Sequence, residues 1–65
     1  MAEKLSVWAP KVPGLETSIV GLADTMDDAH RIASRFQNRR DLYRHDVYIR
    51  LGRDGVIIEY CGPCR

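Results

Sequence analysis

Apolar positions recur along this chain with two different periods. From Leu5 to Ala9 they alternate, with Leu5, Val7 and Ala9 on one side and Ser6 and Trp8 on the other, which predicts a short strand. Pro10, Pro13 and Gly14 interrupt the pattern and turn the chain back. Glu16 to Ala23, carrying Ile19, Val20 and Leu22, reads as a second strand. The period then changes. Between Thr25 and Arg40, Ala29, Ile32, Ala33 and Phe36 fall at i, i+3, i+4 and i+7, with Met26 one turn earlier on the same side. That spacing predicts a helix with one buried stripe. Asp41 to His45 is a polar connection carrying Tyr43 and Arg44, after which Val47, Ile49 and Leu51 alternate with Tyr48 and Arg50. Val56 to Cys61 returns as a final strand.

The polar residues between these stretches supply the punctuation. Asp24 or Thr25 is the predicted helix N-cap, with Asp28 three residues after Thr25 and Asp27 beside it, both acids opposing the positive end of the helix dipole. Gly52-Arg53-Asp54-Gly55 is the strongest turn signal in the chain. A two-residue loop at Asp54-Gly55 sets Arg50 opposite Glu59 and Leu51 opposite Ile58, which pairs charge with charge; a four-residue loop sets Tyr48 opposite Glu59 instead. The expected architecture is α+β: a single small ββαββ domain over residues 1–65, its mostly antiparallel sheet covered on one face by one helix, with 1–4 and 62–65 frayed. The pattern leaves the order of the strands open. Trp8, Tyr48, Arg50, Ile57 and Cys61 are expected to share the uncovered face, and Trp8, Tyr48 and Arg50 make it a second candidate interface.

Charge adds a contact surface. Residues 1–28 carry two lysines against five acids, whereas residues 29–65 carry eight arginines against four acids. Guanidinium groups grip carboxylates and phosphates with two parallel bonds, so an all-arginine half suits recognition. At about 100° per residue, Arg31, Arg35 and Arg39 form a stripe opposite the apolar one, and Arg40 and Arg44 extend it. The plainer reading is a solvated face partly neutralised by Asp27 and Asp28. A hydrophobic fraction of 45% and a charged fraction of 29% are those of a soluble globular protein. A domain of this length buries only roughly 60% of its unfolded surface, so a homodimer interface or a metal would be a natural addition. The segment MAEKLSVWAPKVPG contains neither a signal-like apolar run nor a membrane span, and a cytoplasmic location without membrane partners is expected.

Cys61-Gly62-Pro63-Cys64 is similar to the active-site loop of thioredoxin, a resemblance confined to four residues and lacking the helix that follows the motif there. As a metal motif, Cys61 and Cys64 supply two of the four ligands of a structural zinc, leaving His30, His45 or a second chain for the others. The commonest alternative is a pair of thiols at a turn. No nucleophile elbow, phosphate-cradling glycine loop or paired catalytic carboxylates are present, so a non-enzymatic binding protein without cofactors is expected.

The run ADTMDDAHRIASRFQ, Ala23 to Gln37, with Arg31-Ile32-Ala33-Ser34 at its centre, resembles the helix of small phage-encoded type I-F anti-CRISPR proteins; DGVIIEY, with Gly55 and Tyr60, resembles their closing hairpin. The resemblance covers the middle and last thirds of the chain. It implies an inhibitor in the bacterial host cell that docks on the backbone subunits of a CRISPR surveillance complex and obstructs hybridisation of guide and target. Carried over by position, Arg31, Arg35 and Gln37 would face that partner, while His30 and Phe36 depart from the polar residues of the family. Inhibitors of host RNA polymerase share the same coarse pattern, and direct nucleic-acid binding by the arginines is the second expectation.

Overall fold

In the computed structural model, which describes residues 4–63, four antiparallel strands and one helix form an α+β domain. β1 spans Leu5–Pro10, β2 Thr17–Ala23, α1 Met26–Ala33, β3 Tyr48–Leu51 and β4 Ile57–Tyr60. The sheet order is β2-β1-β3-β4, so the first strand lies inside the sheet with partners on both edges. Leu5 pairs with Ala23 on one side and Leu51 on the other, and Val7 with Gly21 and Ile49.

Alternation along β1 sorts the layers as expected. Leu5, Val7 and Ala9 are buried beneath α1, joined by Val47 and Ile49 around β3 and by Ala23, Ala29 and Ala33. Val20, Met26, Ile32, Phe36 and Cys61 pack around this core partly buried. Small residues at the contact let the helix settle close to the sheet. A Cβ built on Gly21 would stand 2.9 Å from Ile32 Cγ2, so glycine is the residue that permits this approach. Leu42 is also buried, although it sits in the stretch expected to be a polar connection. It joins the core cluster from the connection that links α1 to β3.

The helix starts where its cap requires. Thr25 is extended, and its Oγ1 accepts a hydrogen bond from the Asp28 backbone N–H at 3.2 Å. It ends sooner than the expected Arg40. Ser34 donates its backbone N–H to the carbonyls of His30 and Ile32, and its hydroxyl to the Arg31 carbonyl at 2.7 Å. This side-chain competition accompanies a tightening into the 3-10 turn Ser34–Phe36. A second 3-10 turn, Arg44–Asp46, precedes β3; Asp46 Oδ2 accepts the Tyr43 N–H at 2.7 Å and closes it.

The β3–β4 register corrects the expected one. Arg50 pairs with Ile57 and Ile49 with Glu59, so Glu59 stands opposite neither Arg50 nor Tyr48. Leu51 N–H bonds to the Val56 carbonyl at 2.9 Å around a four-residue loop, with Gly52 at a φ of +66°. A bulge between Ile49 and Arg50 then shifts the pairing by one residue. Arg50, freed from Glu59, donates to the Gly55 carbonyl at 2.7 Å and the Asp54 carbonyl at 3.2 Å, clamping its own hairpin turn. At the chain ends, Lys4 accepts the Gly52 N–H, Gly62 donates to Arg44, and Pro63 is buried. Residues 1–3 and 64–65, including Cys64, lie outside the described residues.

Candidate functional site

Three surfaces bear on function, and the sequence points to two of them. The first is the arginine surface. Arg31 projects from α1 with a side chain 80% exposed, and its one ion pair among the described residues is a 3.9 Å contact to Asp28. Arg35 is exposed in the 3-10 turn, Gln37 and Arg40 are exposed just beyond it, and Arg44 is exposed in the second 3-10 turn. Arg35, Arg40 and Arg44 form no ion pair among the described residues. The stripe predicted along one helix does not exist as such, because the helix stops before Arg35 and Arg39. Arg39 has a structural duty instead. Its guanidinium forks onto the Asp41 carboxylate at 3.1 and 2.6 Å and also donates to the Pro10 carbonyl, tying the connection after α1 to the end of β1.

The second surface is the sheet face away from α1. Trp8, Tyr48 and Tyr60 occupy adjacent strands on it, in register. The Trp8 and Tyr48 rings are nearly parallel with centroids 6.2 Å apart; Tyr60 meets Tyr48 edge-on at 6.1 Å, and His45 meets Tyr60 at 5.2 Å. Arg50 lies 5.0 Å from the centre of the Trp8 ring, within cation–π range. The row is fixed by polar contacts: Trp8 Nε1 donates to Ser6 Oγ at 2.9 Å, Ser6 donates to the Arg53 carbonyl at 3.2 Å, and the Tyr48 hydroxyl bonds Thr17 at 2.9 Å. The burial of Ser6 on an otherwise uncovered face follows from this roof of Trp8 and the hairpin turn. Ile57 joins the face opposite Arg50, as expected.

Cys61 does not. It packs against the core on the helix side, where β4 also turns Glu59. There the third surface forms, one that sequence reasoning missed. His30 Nε2 on α1 hydrogen-bonds Glu59 Oε2, and the Cys61 thiol donates to the same oxygen at 3.4 Å. The three side chains border an open depression of about 470 Å³ that Gln37 and Arg44 also line. The hydrogen bond from His30, followed by that from Cys61, holds the Glu59 carboxyl below the ordinary carboxylate range. Burial, then the bond to Glu59, pushes the Cys61 thiol up to about 11. A redox thiol needs the opposite shift. Of the described residues, His30, Glu59 and Cys61 are the group whose ligand atoms could hold a metal ion. The signal available in the sequence is Glu59-x-Cys61 on a strand, whose period of two sends both side chains the same way. Their partner His30 is 29 positions from Glu59, on a helix side where periodicity predicts only a plain surface histidine.

No described helix is long and apolar enough to cross a membrane. Comparison with protein-family models, curated proteins and solved structures returns no match.

Proposed function

We propose that this protein is a small non-enzymatic inhibitor of phage or prophage type that docks on a host nucleoprotein machine, a CRISPR effector of type I-F foremost, with the host polymerase as the other target of the same kind. The observation that carries the reading is the exposure of Arg31, Arg35, Arg40 and Arg44, none of them in a close ion pair among the described residues, together with the exposed Gln37. Such groups keep their bonding capacity for an acidic or phosphate-bearing partner surface. Arg39 leaves this set because Asp41 and Pro10 occupy it.

The test is binding of the purified protein to a purified type I-F surveillance complex, with Arg31→Glu/Arg35→Glu as the variant. Binding by the original protein and its loss in the charge-reversed variant, with unchanged circular dichroism, supports the reading. No binding to the complex, or equal binding by both proteins, refutes it.

A second reading, binding of single-stranded nucleic acid, draws on the row of Trp8, Tyr48, Tyr60 and His45 with Arg50 beside it. Aromatic side chains on a sheet are sequence-tolerant stacking platforms for bases. Trp8 is the single tryptophan, so its fluorescence reports directly. Quenching by a short oligonucleotide that weakens steeply with salt would favour this reading; unchanged fluorescence at low salt would reject it.

A further inference from the structure

We infer that His30, Glu59 and Cys61 form a binding site for a divalent transition metal, zinc by its donor set, which clasps α1 to the edge strand β4. The three ligand atoms converge from two elements and lie within 4.8 Å of one another. Around a tetrahedral zinc, ligand atoms stand roughly 3.4–3.6 Å apart, as its usual bond lengths dictate. Cys61 Sγ and Glu59 Oε2 already stand at 3.4 Å.

Local structure holds the donors in place. Glu59 and Cys61 are two apart on one strand direction and share a face, and His30 comes from the helix packed over that face. The backbone beyond Cys61 is fixed as well, since Gly62 N–H bonds to the Arg44 carbonyl at 3.1 Å. The chemistry of the donors selects the ion. One thiolate, one imidazole and one carboxylate suit zinc, whereas calcium and magnesium require oxygen alone. The His30 and Glu59 side chains are 49% and 43% exposed, which gives the ion access and leaves its fourth position open to water or an outside donor. Binding transfers the Cys61 thiol proton to solvent and uses His30 as the neutral tautomer with its proton on Nδ1. The Cys61 thiolate, His30 Nε2 and Glu59 Oε2 each supply a lone pair, and together they displace three waters from the aqua ion.

This site would add a staple to a small core. The core that α1 forms with the sheet includes four alanines, and small domains commonly rely on a metal or cross-link in addition to their core.

Cobalt(II), which occupies zinc sites and absorbs visibly, is the probe, added to the full-length protein under reducing conditions after chelator treatment. The expected result is a sulfur-to-cobalt charge-transfer band with tetrahedral visible bands, bleached by added zinc. Cys61→Ser removes the charge-transfer band. His30→Ala and Glu59→Gln lose more affinity than the roughly 10–100-fold that loss of an outer-shell partner costs. Cys64→Ser and His45→Ala keep the band. Absence of the band in the original protein overturns the inference with no dependence on any variant folding. A band that survives Cys61→Ser and vanishes in Cys64→Ser also overturns it, by placing the metal elsewhere.

Discussion

Replacing Leu42 by alanine tests the packing argument at its least obvious point. Leu42 is 2% exposed and stands among the largest fully buried side chains, yet no strand or helix contains it. Truncating a buried leucine removes its transfer free energy and leaves a cavity, together about 2–5 kcal/mol. A chain of this size has a total stability of about 3–10 kcal/mol, taking ordinary values per residue. A loss of about 3 kcal/mol therefore removes between a third and all of it. At about 4–8 °C per kcal/mol for small domains, the melting midpoint falls by about 12–24 °C. The assay is thermal unfolding followed by far-ultraviolet circular dichroism, repeated in urea to obtain a free energy. Leu15→Ala is the control, because Leu15 is 58% exposed in the loop before β2 and should change stability by less than about 0.5 kcal/mol. Equal midpoints for Leu42→Ala and Leu15→Ala would refute the assignment of Leu42 to the core.

Thr25→Ala should cost about 1 kcal/mol by removing the acceptor for the Asp28 N–H, and Thr25→Ser should restore most of it; urea midpoints of the two variants decide. Gly21→Val should cost about 1–3 kcal/mol, because new methyl groups enter space already held by Ile32 Cγ2 and Cδ1. Adding Ile32→Ala should then cost less than it does in the original protein, and strict additivity would count against the contact. The Glu59 carboxyl is held below its ordinary value of 4.5, so its stabilisation is complete above that pH and is lost as pH falls through the lower folded value. Because the bond from His30 is the largest cause, chelator-treated His30→Ala should lose less stability than the original protein as pH falls below 4.5. Parallel acid limbs in the two proteins would contradict that origin.

The parts of the fold governed by local chemistry are legible in the order of the residues alone. Thr25 marks the helix start, alternation fixes which side of β1 and β3 is buried, and the hydrophobic stripe from Met26 to Phe36 packs where its spacing places it. The helix end is hidden because Ser34 terminates it through bonds to the preceding turn, without a glycine or proline as a marker. A bulge carries no signature in a period-two pattern, so the pairing of Arg50 with Ile57 cannot be read from alternation. Leu42 is a lone apolar residue between polar neighbours, and one residue has no period. The exposure of Arg31, Arg35 and Arg44 follows from their charge, but the retreat of Arg39 depends on Pro10 lying beside it. His30, Glu59 and Cys61 meet only after the sheet order is set, and that order is a long-range property of the chain.

The position of β1 inside the sheet has a bearing on synthesis. A ribosome delivers this strand first and its last neighbour late, for Leu5 finds Ala23 within one hairpin but waits for Leu51 to close its other side. Until β3 emerges, the nascent hairpin presents the open backbone edge of what becomes an interior strand, with Val7 and Ala9 uncovered. The sheet is thus incomplete in any species that lacks β3, and such a species exposes the strand edge that aggregation uses.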